Sequence, residues 1–298
     1  MKTKLWFIIA ALILLSSCSD IPSLDELKKM SARESFPKDN YLDTVSNKKA
    51  LVIVAHDDDD CAMAGTIYKL KKEGWKIEQW CLVRTRLEEG RTEHPAKIIC
   101  EDNYLILKDG HFRNKNPHDS TLALYQPIPR EHIAEIYETE KVVNALKEII
   151  NNFKPSVIFT LDNVVGGYGN PDHIFLNQLV LDLFLSEKIT SQSIYQAVYT
   201  RSMEEEINNK YVTKILNKWG HESSFPKVKK LYGVEGAPIP DVEINIQDYA
   251  DGKMEYLRAY SEDARKNMRK FIPGYEEYDA KTYFSIFNRE FFKVYRKQ

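Results

Sequence analysis

Two short polar segments carry residue types that can do chemistry together: His56-Asp57-Asp58-Asp59-Asp60 and Asn170-Pro171-Asp172-His173. Four successive carboxylates repel one another, and one pKa must rise unless a cation intervenes. A metal ion supplies that cation, and the adjoining His56 is a borderline ligand suited to Zn²⁺. Amide N–H groups of a helix beginning near Asp60 also offset acidic charge, so an N-cap cluster beside an incidental histidine fits the first segment as well. Asp172 and His173 can likewise be read as caps of the helix that follows them. What favours chemistry is the coincidence. Each segment offers a histidine and an acid after a strand, and three ligands with an open fourth position is the catalytic arrangement for zinc.

The elements that must hold these segments alternate. LVIVA (51–55) is a continuous apolar run rich in β-branched residues, which predicts a buried parallel strand. Met63, Ala64, Ile67 and Leu70 have helical spacing, Gly74 stands where that helix should stop, and WKIEQWCLV (75–83) reads as a second strand. Ile133 to Phe153 predicts one long amphipathic helix, ending before Pro155. SVIFT (156–160), a helix over 174–188 and SIYQAVYT (193–200) repeat the alternation. Ile207, Tyr211, Ile215 and Trp219 predict a surface helix, VEINI (242–246) a strand, 250–270 a helix, and the aromatic end a closing helix or strand. The fold class is α/β: a Rossmann-like, mostly parallel sheet with helices on both faces, in one domain over residues 47–298. Open sheets of this kind bind ligands at the C-terminal ends of their strands, where both polar segments fall.

The first segment resembles the opening motif of the PIG-L/LmbE-like de-N-acetylases, which remove an acyl group, usually acetyl, from the nitrogen of a glucosamine-containing substrate. That motif is Ala-His-Pro-Asp-Asp-Glu, against Ala55-His56-Asp57-Asp58-Asp59-Asp60 here. The family's His-x-Asp-His is matched by Asn170-Pro171-Asp172-His173. The resemblance runs over residues 48–262 and implies an LmbE-like fold. It further implies a Zn²⁺ cofactor held by His56, Asp59 and His173, with Asp58 as general base, Asp172 orienting a ligating histidine and Arg91 contacting substrate. VEINI and Lys253 correspond to the family's later strand and lysine-bearing helix. The implied activity is hydrolysis of an N-acetyl group on an N-acetylglucosamine-containing substrate in the cell envelope. The alternatives are an amidase for another N-acyl substrate and a catalytically weakened glycan-binding lipoprotein.

Three departures matter. Asp57 replaces proline, loosening a fixed φ without removing a ligand. Asp60 replaces glutamate and keeps its charge. Asn170 replaces a histidine that in the family assists the transition state or protonates the leaving amine. Asparagine can donate to a developing oxyanion, the role expected of Asn170, but it cannot exchange a proton near pH 7. Weaker turnover, or proton delivery by another group, follows. His94, His111, His118, His132 and His221 have no ligand spacing to one another and read as surface or loop residues. Glu88, Glu89 and Arg91 either rim the pocket or form a solvated turn.

The N-terminus reads as an address. Lys2 and Lys4 precede an apolar run from Leu5 to Leu15, too short for the about 20 residues that span a bilayer and fitting a signal peptide over residues 1–17. Leu15-Ser16-Ser17-Cys18 resembles the lipobox of bacterial lipoproteins, which implies cleavage before Cys18, lipid on that cysteine, and attachment to a bacterial membrane, the outer membrane, facing either the periplasm or the surface. Loss of Lys2 and Lys4 takes the net charge from -2 to -4. Residues 18–46 are polar and predict a tether with one short helix around Leu24–Met30. Cys61, Cys81 and Cys100 remain, an odd number read as buried thiols before a disulfide. With 298 residues, 43% of them hydrophobic, a disordered chain is excluded. A near-neutral charge with interspersed signs gives no nucleic-acid footprint.

Overall fold

The computed structural model describes residues 21–83, 94–100 and 127–297. The leader, Cys18, Glu88, Glu89, Arg91, His111 and His118 lie outside the described residues. Six strands form one sheet in the order β2-β1-β3-β4-β6-β5. They are β1 (Lys49–His56), β2 (Lys76–Val83), β3 (Val157–Leu161), β4 (Ser193–Ala197), β5 (Val242–Asn245) and β6 (Arg289–Arg296). β1 pairs in parallel with β2 and β3, and β3 in parallel with β4. β6 runs antiparallel to both β4 and β5, which brings VEINI into the same sheet.

The continuous apolar run of β1 is explained by burial on both faces. Ala50, Val52 and Val54 point into one core and Leu51, Ile53 and Ala55 into the other. The first core is closed by α2 (Ala64–Lys72) through Ala64, Ile67 and Leu70, and by α7 (Ala250–Arg258) through Met254 and Leu257. The second is closed by α4 (Thr139–Phe153) through Val142, Leu146 and Ile150, and by α5 (Pro171–Leu185) through Ile174 and Leu176. Helices therefore cover both faces of the sheet.

Several expectations need correction. The stretch expected to be a tether is packed down: Leu27 on α1 (Leu24–Met30) and Leu42 are buried, and Lys38 bridges to Glu243 beside β5. Its apolar residues are few, and Leu27, Leu42 and Val45 reach the core while Ile21 and Leu24 stay exposed. The single long helix is two, α3 (Arg130–Ile136) and α4, because Tyr137 is extended and turns its ring inward to stack on Phe175 at 3.9 Å. The surface helix over 201–218 is half sunk, with Ile207 and Val212 in the core. The C-terminus is both helix and strand, α9 (Ala280–Ile286) followed by β6. Cys61, Cys81 and Cys100 form no disulfide among the described residues, and Cys81 and Cys100 are buried. Among the described residues no helix is long and apolar enough to cross a membrane.

Candidate metal centre and its surroundings

β1 and β3 are neighbours whose chains leave toward opposite edges of the sheet, β1 to β2 and β3 to β4. The crevice beyond their C-terminal ends is a switch point of the kind that holds ligands. His56 ends β1, and Asp59 opens the short turn Asp59–Ala62 that follows. His173 stands in the first turn of α5. One ligand atom from each of these three residues lies within 4.8 Å of the others.

The loop after β3 aims His173. The carboxylate of buried Asp162 accepts four successive backbone N–H groups, from Val164, Val165, Gly166 and Gly167. This turns the carbonyl of Gly166 toward the His173 ring, whose Nδ1 donates to it at 2.9 Å. Gly166 has φ +55°, and a Cβ there would sit 2.7 Å from the His173 Cβ, so the position requires glycine.

His56 is aimed the opposite way round. Its Nε2 donates to Asp172 Oδ2 at 3.2 Å, and Asp172 Oδ1 in turn accepts from the Tyr137 hydroxyl. Nδ1 of His56 is left facing Nε2 of His173 at 3.0 Å. Asp59 places Oδ1 3.1 Å from His173 Nε2 and Oδ2 3.4 Å from His56 Nδ1, while its Oδ2 also accepts the His56 backbone N–H at 2.7 Å. With both opposite nitrogens committed as donors, two imidazole nitrogens and a carboxylate converge on one point. That donor set fits a zinc ion.

The remaining aspartates divide. Asp57 is fully buried; its Oδ2 accepts from His94 Nε2 at 2.8 Å, and its backbone carbonyl accepts from the Tyr260 hydroxyl. His94, read as a surface or loop residue, lies in a loop but is buried, with Nδ1 accepting the Ala96 N–H. Asp60 is also buried, taking the Tyr256 hydroxyl on Oδ1 and the Gln79 amide on Oδ2. Asp58 alone of the four is partly exposed without a side-chain hydrogen bond or ion pair among the described residues.

The charges sort accordingly. Burial and the neighbouring Asp59 carboxylate raise Asp58 to about 6. Burial also pushes Asp59 upward, but His173 and His56 outweigh it and hold that carboxyl far below its ordinary range. Burial pulls His56 down, yet Asp59 and Asp172 carry it well above the usual imidazole value. Asp60 is driven well up by burial against the Tyr256 hydrogen bond.

Asn170 is placed differently from the expectation that it donates to an oxyanion. Its Oδ1 caps α5 by accepting the Asp172 N–H at 2.9 Å, and its Nδ2 donates to the Tyr168 hydroxyl at 3.3 Å. Tyr168 packs edge-on against His173 at 5.2 Å and stacks on Phe271 at 4.2 Å. Burial and the Asp59 charge hold its phenol well above the ordinary value, so it keeps its proton. Tyr168, Tyr137 and His94 carried no sequence signal. A tyrosine two residues before the second motif was the one available hint. Lys253 is buried on α7 and pairs with Glu290, which caps α2 through Gly65 and Thr66; it lies in the scaffold behind the site.

Residues 51–184 match the family model described as GlcNAc-PI de-N-acetylase, PIG-L. No curated protein matches the chain. Among solved structures, the 4-carboxy-2-hydroxymuconate hydratase of Pseudomonas putida is similar at 12% identity and a TM-score of 0.45, covering 84% of this chain and 97% of that one. The N,N'-diacetylchitobiose deacetylase of Pyrococcus horikoshii is similar at 14% identity and 0.42, covering 86% and 89%. An A40926 pseudoaglycone deacetylase is similar at 12% and 0.42, covering 84% and 98%.

Proposed function

We propose that the chain, whose residues 51–184 match the PIG-L family model, is a zinc-dependent amide hydrolase of the PIG-L/LmbE-like kind. Its substrate is an N-acetylated amino sugar of the cell envelope, converted with one water into acetate and a free amine. The observation that carries this reading is the convergence of His56 Nδ1, His173 Nε2 and the Asp59 carboxylate beside an uncommitted Asp58.

His56, Asp59 and His173 would hold a zinc ion, and the chemistry it would supply there is Lewis acidity toward an amide carbonyl and a water. The side chains do the rest. Asp172 and the Gly166 carbonyl take the outward-facing N–H of His56 and of His173, which turns the two facing nitrogens toward the metal position. Asp58, with a pKa of about 6, takes a proton from the attacking water and returns it to the departing nitrogen. The Tyr168 O–H donates to the oxygen that gains charge in the tetrahedral intermediate, and Asn170 Nδ2 holds that hydroxyl in place. Tyr168 thus supplies a donor at a motif whose histidine has become asparagine. Arg91 is assigned to substrate contact on family resemblance.

The same proposal includes export. Cys18, preceded by Leu15-Ser16-Ser17, carries the lipid, and one lipidated bacterial Cys bears enough acyl chains for stable attachment. Cys18→Ser should release the protein from the membrane fraction, and retention would refute the anchor.

The function itself is tested by measuring metal content together with amine release from a panel of N-acetylated sugars and N-acylated amines. Amine released only from sugars supports the proposal. Release only from other amines moves the substrate to the alternative amidase reading. Zinc and sugar binding with no amine release supports the glycan-binding lipoprotein.

A further inference from the structure

The helix α8 (Glu262–Phe271) carries four cations that divide between two surroundings. Arg265 and Arg269 are neutralised: Arg265 pairs with Glu262 at 2.8 Å and Glu276 at 3.0 Å, and Arg269 with Glu262 at 2.7 Å and with Glu276. Lys266 and Lys270, one turn apart, have no carboxylate within ion-pairing distance among the described residues. Both instead lie over the ring of Trp219, at 5.4 and 5.8 Å from its centroid. Trp219 is 41% exposed, one of the few large apolar side chains left open to solvent.

This cluster is continuous with the candidate active site. Lys270 Nζ is 5.7 Å from the Phe271 ring; Phe271 stacks on Tyr168, and Tyr168 packs against His173. Lys270 is half-buried, its ammonium donates to Asn267 Oδ1 at 3.1 Å, and it feels the charge of Asp58. Among the described residues this half-buried ammonium is answered by an amide oxygen and aromatic faces with no ion pair, which is costly, and a bound anion compensates it. Aromatic rings offer a flat apolar face to a sugar ring.

We propose that Trp219, Lys266 and Lys270 form a substrate subsite beside the metal centre, which takes an anionic group, phosphate or carboxylate, borne by the amino-sugar substrate. The assignment rests on the amide-hydrolase reading above. Trp219 stacks the sugar, and the two ammonium groups select the charge next to the scissile amide. The arginines of α8 are excluded from this role because Glu262 and Glu276 already occupy them.

The test is calorimetric binding to the full chain loaded with zinc, with N-acetylglucosamine, N-acetylglucosamine 6-phosphate, N-acetylmuramic acid and inorganic phosphate as probes. The wild type should bind at least one anionic sugar about ten-fold or more tighter than the neutral one, a ratio that shrinks as salt rises. In Lys266→Gln/Lys270→Gln the ratio should fall toward one, whereas Trp219→Leu should weaken all three sugars. Equal binding of all sugars by the wild type, or a ratio that survives the double substitution, overturns the subsite and leaves the hydrolase reading intact if N-acetylglucosamine is still deacetylated. Lysine-dependent phosphate binding without any sugar binding upholds the anion site and removes the amino-sugar substrate instead. No binding of any probe overturns the subsite and removes the amino-sugar substrate, and the hydrolase reading then stands or falls on amine release from the N-acylated amines.

Discussion

His56 Nδ1 and His173 Nε2 face each other at 3.0 Å, with the opposite nitrogen of each ring already committed as a donor. Two lone pairs at that distance repel unless a cation or a proton lies between them. The arrangement is built from both sides of the switch point, one histidine from the end of β1 and one from the start of α5.

Asp172 is the residue that keeps the His56 lone pair in the site. Asp172→Asn can still accept through its amide oxygen but loses the charge that orients the ring. Zinc affinity should fall by about 10–100-fold, read by competition with a chromogenic chelator. Unchanged affinity would show that His56 needs no such support.

Tyr168 and Asn170 are separable. Tyr168→Phe should keep zinc and lose about 10²–10³-fold in kcat, the usual cost of one oxyanion donor. Asn170→Asp keeps an oxygen to cap α5 but loses the amide that holds the Tyr168 hydroxyl. Its unfolding midpoint should stay near that of the wild type while kcat falls, whereas Asn170→Ala should also lose about 1 kcal/mol of stability. A normal kcat in both Tyr168→Phe and Asn170→Asp would remove the tyrosine from the reaction.

Much of this was legible beforehand because parallel strands advertise themselves. LVIVA and SVIFT are buried on both faces and contain no competing pattern, so the strand ends, and the two polar segments after them, could be placed. Asp59 and His173 were legible through their motifs. Tyr137 was hidden inside a run of helical periodicity, and tertiary contacts of its ring with Phe175 and of its hydroxyl with Asp172 accompany the break in that helix. His94 lacked any ligand spacing, since its partner Asp57 answers a hydrogen bond rather than a metal. Residues 21–46 looked like a tether because their apolar residues are sparse, yet Leu27 and Leu42 are anchored by contacts far away in sequence.

The buried pair of Asp57 and His94 should be measurable as stability. Asp57→Ala leaves the His94 donor buried without this acceptor, and urea unfolding should show a loss of about 1–3 kcal/mol. Asp57→Asn retains an acceptor oxygen and should cost less. Equal losses in the two variants would mean that the hydrogen bond contributes nothing beyond side-chain volume.

Asp58 sets a pH signature. It binds its proton up to about pH 6 in the folded, metal-free protein, against about 4 in an unfolded chain. Between those values the folded state holds more protons, so the contribution of this group to stability falls as pH rises. Comparing urea midpoints of metal-free wild type and Asp58→Asn from pH 4 to 7, the wild type should lose stability relative to the variant as pH rises through about 6. A constant difference across that range would place the Asp58 carboxyl at its ordinary value.

In the proposed reaction Asp58 acts as a base beside a zinc ion held by His56, Asp59 and His173. The direct measurement is the zinc content and the rate of amine release from N-acetylated sugars for wild type, Asp58→Asn and His173→Ala. The wild type should hold one zinc and turn over, Asp58→Asn should hold one zinc with about 10²–10⁴-fold less turnover, and His173→Ala should lose both. Full turnover in Asp58→Asn, or in wild type stripped of zinc, would contradict the proposed reaction.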